Sequence, residues 1–590
     1  MTAATEEPLD RRVAGKVLRR ALRFLAPYRR DAVGSFVFVV MSTSAILAGP
    51  YLLRYAIDHG ISQNRPAVVN VTVGIYVVVA VVAYWATRTQ VLLVSRAGEG
   101  FMRDLRKRVF DHLLALSMPF FDREKAGVVV SRMTSDVDQL QELVQLGFLQ
   151  LMRSLLLISG SIVVLTLISW KLMLLCLIPM PFVVLASVKF QRDSNAAYLT
   201  VRDRIGLTLS SLQEGISGVR IIQAYGRESV EIERFAGRNR GLYQAHMRSV
   251  WVQAWYLPVI EAAALLCTAL VIGIGGRWAI EGTITVGTIA FFVLTLSNLF
   301  EPVNQLSQLF NTLQSSGAAL HKLFELLDTP VELVEQPDAV ELPARGELKV
   351  EGMSFAYDDG PPVLTDIDLT LASGEKLALV GPTGAGKSTL AKLMARLYDP
   401  TAGRVTFEGI DLRDAQLSSL RTRITVVPQE GYLFAASLLD NIRIGRPDAT
   451  DEEVEQALAS LGLLDRFAAL PDGLHTEVNE RGSRLSAGER QLVSLCRAAL
   501  ADPAVLVLDE ATSSLDPGTE AVVERALEKL MAGRSVIVIA HRLSTAARSD
   551  RVGVVADGGL AELGPHAELV AAGGRYASLY ENWVSGLASA

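Results

Sequence analysis

Cysteine is scarce in this chain of 590 residues, which carries only Cys176, Cys267 and Cys496. The three lie far apart and form no C-x-x-C pair, so the spacing typical of a structural zinc site is missing. A disulfide framework, which stabilises many small secreted domains, is not indicated either. Neither a metal cage nor a set of cross-links is therefore expected to hold the fold.

Charged residues are also few, at 20% of the chain, whereas hydrophobic residues make up 50%. This balance is too apolar for a purely soluble protein of this length and too charged for one lying wholly in a membrane. An excess of positive charge is absent: the net charge is −6, which argues against a nucleic-acid partner. The length itself predicts roughly two to four domains.

Long apolar runs occur only in the first half of the chain. Six of them approach the roughly 20 residues that a helix needs to cross a bilayer. They are predicted to be helices because backbone polar groups must be satisfied inside lipid. The predicted spans are 33–53, 68–87, 154–170, 172–188, 254–276 and 282–300. The third and fourth are separated only by Lys171, which predicts a tight helical hairpin.

The distribution of charge predicts the orientation of these spans. Eight basic residues precede the first span, and the positive-inside rule places them in the cytoplasm. They are Arg11, Arg12, Lys16, Arg19, Arg20, Arg23, Arg29 and Arg30. The segments 88–153 and 189–248 then lie inside; they are long, charged and helix-patterned, so the spans should extend well into the cytoplasm. We assign residues 1–330 to this membrane domain.

A second domain, residues 347–590, follows a linker rich in Pro, Glu and Asp near residue 330. In it, short apolar runs alternate with amphipathic stretches. The runs "KLALVG", "ITVVPQ", "AVLVLDE" and "SVIVIA" read as buried strands. This alternation is typical of an α/β domain with a largely parallel sheet.

The first chemical motif of that domain is the loop "GPTGAGKST". A predicted strand ends before it at Val380, and a predicted helix begins at about Lys387. Inward-pointing N–H groups and the positive helix end suit a phosphate chain, with Lys387 reaching the terminal phosphates and the Ser388 hydroxyl on Mg²⁺. The predicted nucleotide ligands are Gly381, Pro382, Thr383, Gly384, Ala385, Gly386, Lys387, Ser388 and Thr389. Kinases, GTPases and motor ATPases can share this loop.

A pair of carboxylates, Asp509 and Glu510, ends the apolar run "AVLVLDE". Ligands of parallel sheets bind at the carboxyl ends of the strands. Asp509 is predicted to hold Mg²⁺, mostly through water, and Glu510 to act as the general base on an attacking water. The pair could instead merely end a strand and cap the next helix, but the phosphate loop upstream favours the chemical interpretation.

The stretch "LSAGERQ" at 485–491, between these motifs, resembles the signature L-S-G-G-Q of ABC ATPases. Other parts of that family's pattern occur in its usual order. They are Tyr357 in "SFAYDD", Gln429 in "VVPQEGYLF", "TEVNERG" at 476–482, "SSLD" at 513–516 and His541 in "VIVIAHRLS". With its six spans, the chain resembles a half-size ABC transporter of the type IV exporter fold. That fold is a six-helix α transmembrane domain fused to an α/β P-loop ATPase domain of the ABC type.

The resemblance implies that the ligands are ATP and Mg²⁺. It implies that Tyr357 stacks on adenine, Gln429 touches Mg²⁺ and the attacking water, and His541 contacts the γ-phosphate. Ser486 and the N–H of Gly488 would act across a dimer interface on ATP held by a second half-transporter. One chain has one phosphate loop and one signature, so it must dimerise to work.

The signature departs from the usual pattern at two positions. Ala487 stands where the family usually has Gly, and Glu489 where it has Gln. A methyl at 487 crowds a helix end that must approach phosphate, and Glu489 adds negative charge there. Some heterodimers of the family pair a subunit that has good catalytic residues but a weakened signature with a partner that has the reverse combination. Homodimer and heterodimer therefore both stay open.

Two segments resemble the coupling helices that rest on the ATPase domains in this fold: "MPFFDREKAG" at 118–127 and "LQEGISGVRIIQAYGRE" at 212–228. Phe120, Phe121 and Tyr225 are candidates for the contact, although ordinary packing between long helices explains them equally well. Glu261, inside the fifth span, could contact a cationic substrate or bond to a neighbouring helix beside Pro258; we favour the helix bond.

The resemblance implies export of a hydrophobic or amphipathic substrate, such as a lipid, drug or peptide. The composition suits a bacterium. We therefore expect a multi-pass protein of the plasma (inner) membrane with its N-terminus and ATPase domain in the cytoplasm. An importer on the same fold, or an ATP-gated channel or receptor, is the alternative, because fold does not fix function.

Overall fold

A computed structural model describes residues 20, 23–24, 26–142, 147–358, 360–429, 431–509, 517–540 and 543–588. The chain divides into two compact units. The first takes in Glu124–Thr329 and the chain up to Ala115. The second takes in Leu116–Arg123 and the chain from Pro330 onward. Eight residues of the N-terminal half therefore belong to the C-terminal unit.

The described part of the first unit is helical and contains six helices long and apolar enough to cross a membrane. The helices of the N-terminal half are α1 (Arg29–Tyr55), α2 (Pro66–Ala115), α3 (Met118–Arg123), α4 (Ala126–Ser131), α5 (Val137–Glu142), α6 (Phe148–Ile168), α7 (Trp170–Cys176), α8 (Met180–Ser217), α9 (Val219–Ala224), α10 (Glu228–Ile280) and α11 (Val286–Asp328). Of these, α3 belongs to the second unit.

The long helices extend beyond any bilayer. Helices α2 and α10 have 50 and 53 residues, which at about 1.5 Å per residue is more than twice the roughly 30 Å of a hydrocarbon core. The prediction that the spans continue past the apolar runs is consistent with these lengths.

The hairpin between the third and fourth spans turns at Ser169, and not at Lys171 as predicted. Ser169 is extended, and its hydroxyl accepts a hydrogen bond from the Leu172 N–H at 3.4 Å, so it caps α7 and leaves Lys171 inside the helix. The last span likewise begins at Val286 and not at 282, because Thr285 caps α11 through the Thr288 N–H. Both corrections come from hydroxyl caps that an apolar run does not reveal.

The second unit is an α/β domain. Its strands are β1 (Leu348–Ala356), β2 (Pro362–Leu371), β3 (Lys376–Val380), β4 (Ala402–Phe407), β5 (Ile410–Asp411), β6 (Ile424–Val427), β7 (Ala436–Ser437), β8 (Glu477–Val478), β9 (Val505–Asp509), β10 (Ser535–Ile539), β11 (Arg551–Ala556) and β12 (Gly559–Gly564). Its helices beyond α3 are α12 (Lys387–Met394), α13 (Leu417–Arg423), α14 (Leu438–Arg443), α15 (Asp451–Leu461), α16 (Leu464–Ala468), α17 (Ala487–Ala501), α18 (Pro517–Met531), α19 (Leu543–Ala547), α20 (His566–Ala571) and α21 (Arg575–Ala588).

The central sheet of this unit has the order β12-β11-β3-β10-β9-β6. Its strands are parallel except β12, and the four apolar runs predicted as strands are β3, β6, β9 and β10. An antiparallel sheet, β2-β1-β4-β5, accompanies it. The predicted α/β architecture is confirmed.

Successive side chains of the central strands face two separate cores. Val505 and Val507 of β9 belong to the core shared with the antiparallel sheet and α12. Leu506 and Leu508 belong to the core built by helices α14 to α18. Because side chains alternate across a strand, one buried strand supports both the phosphate-loop side and the signature side of the domain.

Candidate nucleotide and signature sites

The sheet brings the predicted catalytic motifs to one edge. Ile539, the last residue of β10, pairs with both Leu379 of β3 and Asp509 of β9. The phosphate loop and Asp509 therefore leave the sheet at the same level, where ligands of parallel sheets bind. Gln429 follows β6, whose Val427 pairs with Leu508 of β9. The predicted catalytic residues Glu510 and His541, and the segment 513–516, lie outside the described residues.

The phosphate loop requires glycine at specific positions. Gly381 has φ +144°, and a Cβ there would overlap the carbonyl oxygen of Val555. Gly386 has φ +99°, and its Cβ would lie 2.8 Å from a methyl group of Leu364. Residues that carry a side chain rarely adopt such φ values, and neither Val555 nor Leu364 leaves room for a Cβ at these positions. The path of the loop against Val555 and Leu364 therefore depends on glycine at these two positions.

Lys387 opens α12 directly above this loop. No side chain caps the helix, since its N-cap residue is Gly386. The Lys387 ammonium donates hydrogen bonds to the carbonyl oxygens of Gly381 at 2.8 Å and Pro382 at 2.9 Å. Burial lowers the pKa of Lys387, and the Asp509 carboxylate partly offsets this. An anion here would meet a bare helix end and a desolvated ammonium.

The remaining predicted ligands of the loop differ in exposure. Pro382, Thr383, Gly384 and Ser388 are exposed, whereas Thr389 is buried. This distribution leaves backbone and hydroxyl groups of the loop accessible to a phosphate chain and a metal ion. The residues present therefore fit both groups.

Tyr357 lies beside the helix that carries Lys387. Its hydroxyl is 3.0 Å from the Thr389 hydroxyl of α12. Its ring packs edge-on against Phe355, with centroids 4.8 Å apart, and against Tyr398, with centroids 5.4 Å apart. These contacts hold a half-buried aromatic ring next to the phosphate loop, where an adenine base can stack on it.

Ser486 begins α17 and is engaged in a capping box. Its hydroxyl accepts a hydrogen bond from the Glu489 N–H at 3.2 Å, and the Glu489 carboxylate accepts one from the Ser486 N–H at 3.0 Å. The Ser486 hydroxyl also lies 3.1 Å from the same carboxylate oxygen, to which it can donate. Gly488 is buried and Ala487 exposed. The Glu489 carboxylate can therefore occupy the Ser486 hydroxyl, one of the two donors that the sequence predicts for phosphate.

The charge of Glu489 has a partner on a neighbouring helix. A guanidinium nitrogen of Arg466, on α16, lies 3.4 Å from the Glu489 carboxylate. Sequence reasoning treated Glu489 only as a negative charge near phosphate. The Ser-x-x-Glu spacing ahead of an apolar run was nevertheless a signal for the capping box.

Four other predicted residues have different surroundings. Phe120 is 9% exposed, but Phe121 and Tyr225 are 42% and 77% exposed. Glu261 is exposed on α10 and forms no hydrogen bond or ion pair with any residue that the structure describes. The favoured hydrogen bond between Glu261 and a neighbouring helix is therefore not found among the residues that the structure describes.

Comparison with known proteins gives consistent matches over the whole chain. Residues 33–303 match the ABC transporter transmembrane region, and residues 364–513 match the family described as ABC transporter. An uncharacterized ABC transporter ATP-binding protein of Bacillus subtilis is 36% identical over 95% of this chain and 93% of its own length. An ATP-dependent lipid A-core flippase of Syntrophus aciditrophicus is 34% identical over 96% of this chain and 94% of its own length.

A solved structure is similar to most of the chain. A bacterial Atm1-family ABC exporter with ATP bound superimposes with a TM-score of 0.77 at 28% sequence identity. The match covers 94% of this chain and 98% of that one.

Proposed function

Since the chain belongs to the ABC transporter family, with one transmembrane region fused to one ATPase domain, we propose that it is half of an ATP-driven exporter. One observation carries the proposal. The six apolar helices share a chain with a phosphate loop that leaves its helix end uncapped and its lysine desolvated. Binding and hydrolysis of ATP would power alternating access of the membrane domain.

The predicted residues of the nucleotide site would divide the chemistry among them. The phosphate loop and Lys387 hold the phosphates. Ser388, Gln429 and Asp509 are the residues that would hold Mg²⁺, and the ion, when bound, neutralises developing charge on the phosphates. Glu510 would accept a proton from the attacking water, and His541 would donate a hydrogen bond to the γ-phosphate.

A second half-transporter would complete each site. Ser486 and the Gly488 N–H would donate to the γ-phosphate bound by the partner, because a helix end offers donors and positive potential there. Whether that partner is a second copy of this chain or a different one depends on how much Glu489 weakens the contact. Both assemblies bury the signature against nucleotide, so ATP closes the pair and phosphate release opens it.

The orientation follows from charge. The basic N-terminus would stay in the cytoplasm of a bacterium, together with the ATPase domain, and the chain would reside in the plasma (inner) membrane. ATP would thus be bound on the side where it is made.

The substrate would be hydrophobic or amphipathic, such as a lipid, drug or peptide. The flippase of Syntrophus aciditrophicus supports the lipid class by its name. Glu261 adds a constraint, because a carboxylate inside a span is expected to face a cavity or a partner, and no residue that the structure describes pairs with it. A cationic group on the substrate would satisfy it.

The first test is the subunit composition and the ATPase rate of the chain expressed alone in lipid nanodiscs. A dimer with Mg²⁺-dependent turnover would establish a homodimer, whereas a monomer or an inert dimer would require a second chain. Glu510→Gln should keep ATP binding, stop hydrolysis and trap the closed pair, while Glu528→Gln, in an exposed ion pair with Arg548, should change neither. Unchanged hydrolysis in Glu510→Gln would remove the residue from its role.

Direction is tested in membrane vesicles of both orientations. An exporter accumulates labelled amphiphile in inside-out vesicles given ATP outside. An importer would accumulate it in right-side-out vesicles loaded with ATP, and a channel would pass ion current without accumulation. Either of these last results would contradict the proposal.

A further inference from the structure

The segment Leu116–Arg123 belongs to the ATPase unit although it lies within the membrane half of the sequence. The Ser117 hydroxyl accepts a hydrogen bond from the Leu333 N–H at 3.1 Å. Arg123, at the end of α3, pairs with Glu332 and with Asp358, each at 2.9 Å. Both ends of this short helix are therefore tied to the ATPase domain.

Asp122 is the polar centre of α3. One oxygen of its carboxylate accepts a hydrogen bond from the Tyr398 hydroxyl at 2.6 Å and another from the Lys392 ammonium at 2.8 Å. Burial would raise the pKa of Asp122, but these two hydrogen bonds outweigh it and the pKa is lowered. Burial and the carboxylate together raise the pKa of Tyr398. Short bonds to an ionised acceptor are the strong ones in proteins.

Both partners of Asp122 lead directly to the nucleotide pocket. Lys392 lies on α12, the helix that Lys387 opens. Tyr398 is 5% exposed, and its ring meets Tyr357 edge-on with the ring planes at 88°. Tyr357 in turn reaches the Thr389 hydroxyl on α12. Two contacts thus separate the Asp122 carboxylate from the aromatic ring proposed to stack on adenine.

A cavity beside Tyr357 makes these contacts important for the position of its ring. A cavity of about 420 Å³ is lined by Asp122, Tyr357 and Tyr398, together with Phe355 and Asp399. Packing therefore does not enclose Tyr357 on that side. The ring is held by Phe355 and Tyr398 and by the contact of its hydroxyl with Thr389, and the hydroxyl of Tyr398 is fixed by Asp122.

We propose that Asp122 is a positioning residue of the nucleotide pocket: by holding Tyr398 and Lys392 it orients Tyr357 and sets the affinity for the adenine base. This rests on the proposed role of Tyr357. Coupling between two sites is reciprocal, so bound adenine also strengthens the hold of the ATPase domain on α3. The membrane half thus contributes a residue to base recognition and not only to the transmission of movement.

The test compares a ligand that has a base with one that lacks it. In the active full-length transporter in nanodiscs, Asp122→Asn should raise the KM for ATP about fivefold or more, at the low end of coupling between sites. The inhibition constant of inorganic tripolyphosphate, which can use only the phosphate loop, should stay unchanged. Tyr398→Phe, which keeps the ring and removes the hydroxyl, should act in the same direction. The double variant should be no worse than the stronger single one.

Matched control variants distinguish a positioning role of Asp122 from general damage to the protein. Asp138→Asn removes another exposed acid that forms an ion pair, in this case with Arg106, and should leave the KM for ATP and the inhibition constant of tripolyphosphate unchanged. An unchanged KM in Asp122→Asn, an equal loss of both ligands, or a fall in kcat alone would each overturn the proposal. Tyr357→Ala tests the underlying role separately: if it leaves the KM for ATP unchanged, the stacking role fails whatever Asp122 does.

Discussion

Two helices of the ATPase domain begin in opposite ways. Helix α12 begins after Gly386 with no side-chain cap, so its first N–H groups are left for a ligand. Helix α17 begins after Ser486, which is tied to Glu489 in a reciprocal capping box. Both helix ends carry the same partial positive charge. One is kept open to an anion, and the other already holds a carboxylate of its own chain.

The difference indicates that the two ends respond to phosphate at different stages. The open end, with Lys387 beside it, can bind phosphate in a single chain. At the capped end, the Ser486 hydroxyl can donate to phosphate only if it turns away from the Glu489 carboxylate. A glutamine, the usual residue of the family at this position, can form the same capping box without the charge. We therefore expect Glu489 to make the signature the weaker of the two phosphate contacts, and each variant below changes one side of this contrast.

Lys387→Ala should give the largest effect. It removes the ammonium from the open helix end, and loss of hydrogen bonds from a charged group costs about 2–3 kcal/mol, roughly 30- to 150-fold in the Kd for ATP. Binding of a fluorescent ATP analogue to the purified transporter measures it. Lys349→Ala, which removes an exposed lysine paired with Glu351, is the control and should bind normally. Normal binding by Lys387→Ala would sink the phosphate-loop assignment.

Glu489→Gln should give the next largest effect, in the opposite direction. Removing a charge near a helix terminus changes phosphate binding by about 0.5–1 kcal/mol, so ATP turnover should rise roughly two- to fivefold. The measurement is the steady-state rate of phosphate release by the complete transporter.

A second capping box in the same domain supplies the control for Glu489→Gln. Thr450 and Glu453 cap α15 in the same way, and Glu453 also pairs with an arginine, Arg446. Glu453→Gln should therefore leave turnover unchanged. An equal rise in turnover in both variants would mean that the net charge of the domain matters, and not the position of Glu489 in the signature.

The contrast between these helix ends was only partly predictable from the sequence. The strand before Val380 and the helix at Lys387 follow from local patterns, and the structure confirms both. The capping box was also predictable from a local pattern, the Ser-x-x-Glu spacing. Comparison with the usual signature instead led to an interpretation of Glu489 as a negative charge near phosphate. The bond between Asp122 and Tyr398 joins residues 276 positions apart, and no local pattern reports such a contact.

Arg466→Gln should have a smaller effect on turnover, and only in the protein that keeps Glu489. Arg466 neutralises part of the Glu489 charge from a partly exposed position, where an ion pair contributes about 0.2–1 kcal/mol. Turnover should fall by about twofold, since the uncompensated carboxylate repels phosphate more strongly. In the Glu489→Gln background the same change should have no effect. A fall of equal size in both backgrounds would show that Arg466 acts on something other than Glu489.

Ala487→Gly should give the smallest effect. The methyl group of Ala487 is exposed, so its removal opens space in front of the helix end without creating a cavity. Glycine also loosens the first turn, and the two consequences oppose each other, so turnover should rise by less than about twofold. Ala459→Gly, at an exposed position of α15, measures the cost of glycine without any gain in space. If Ala487→Gly raised turnover more than Glu489→Gln does, Ala487 would be the more important of the two departures. The signature would then be weakened by steric crowding and not by charge.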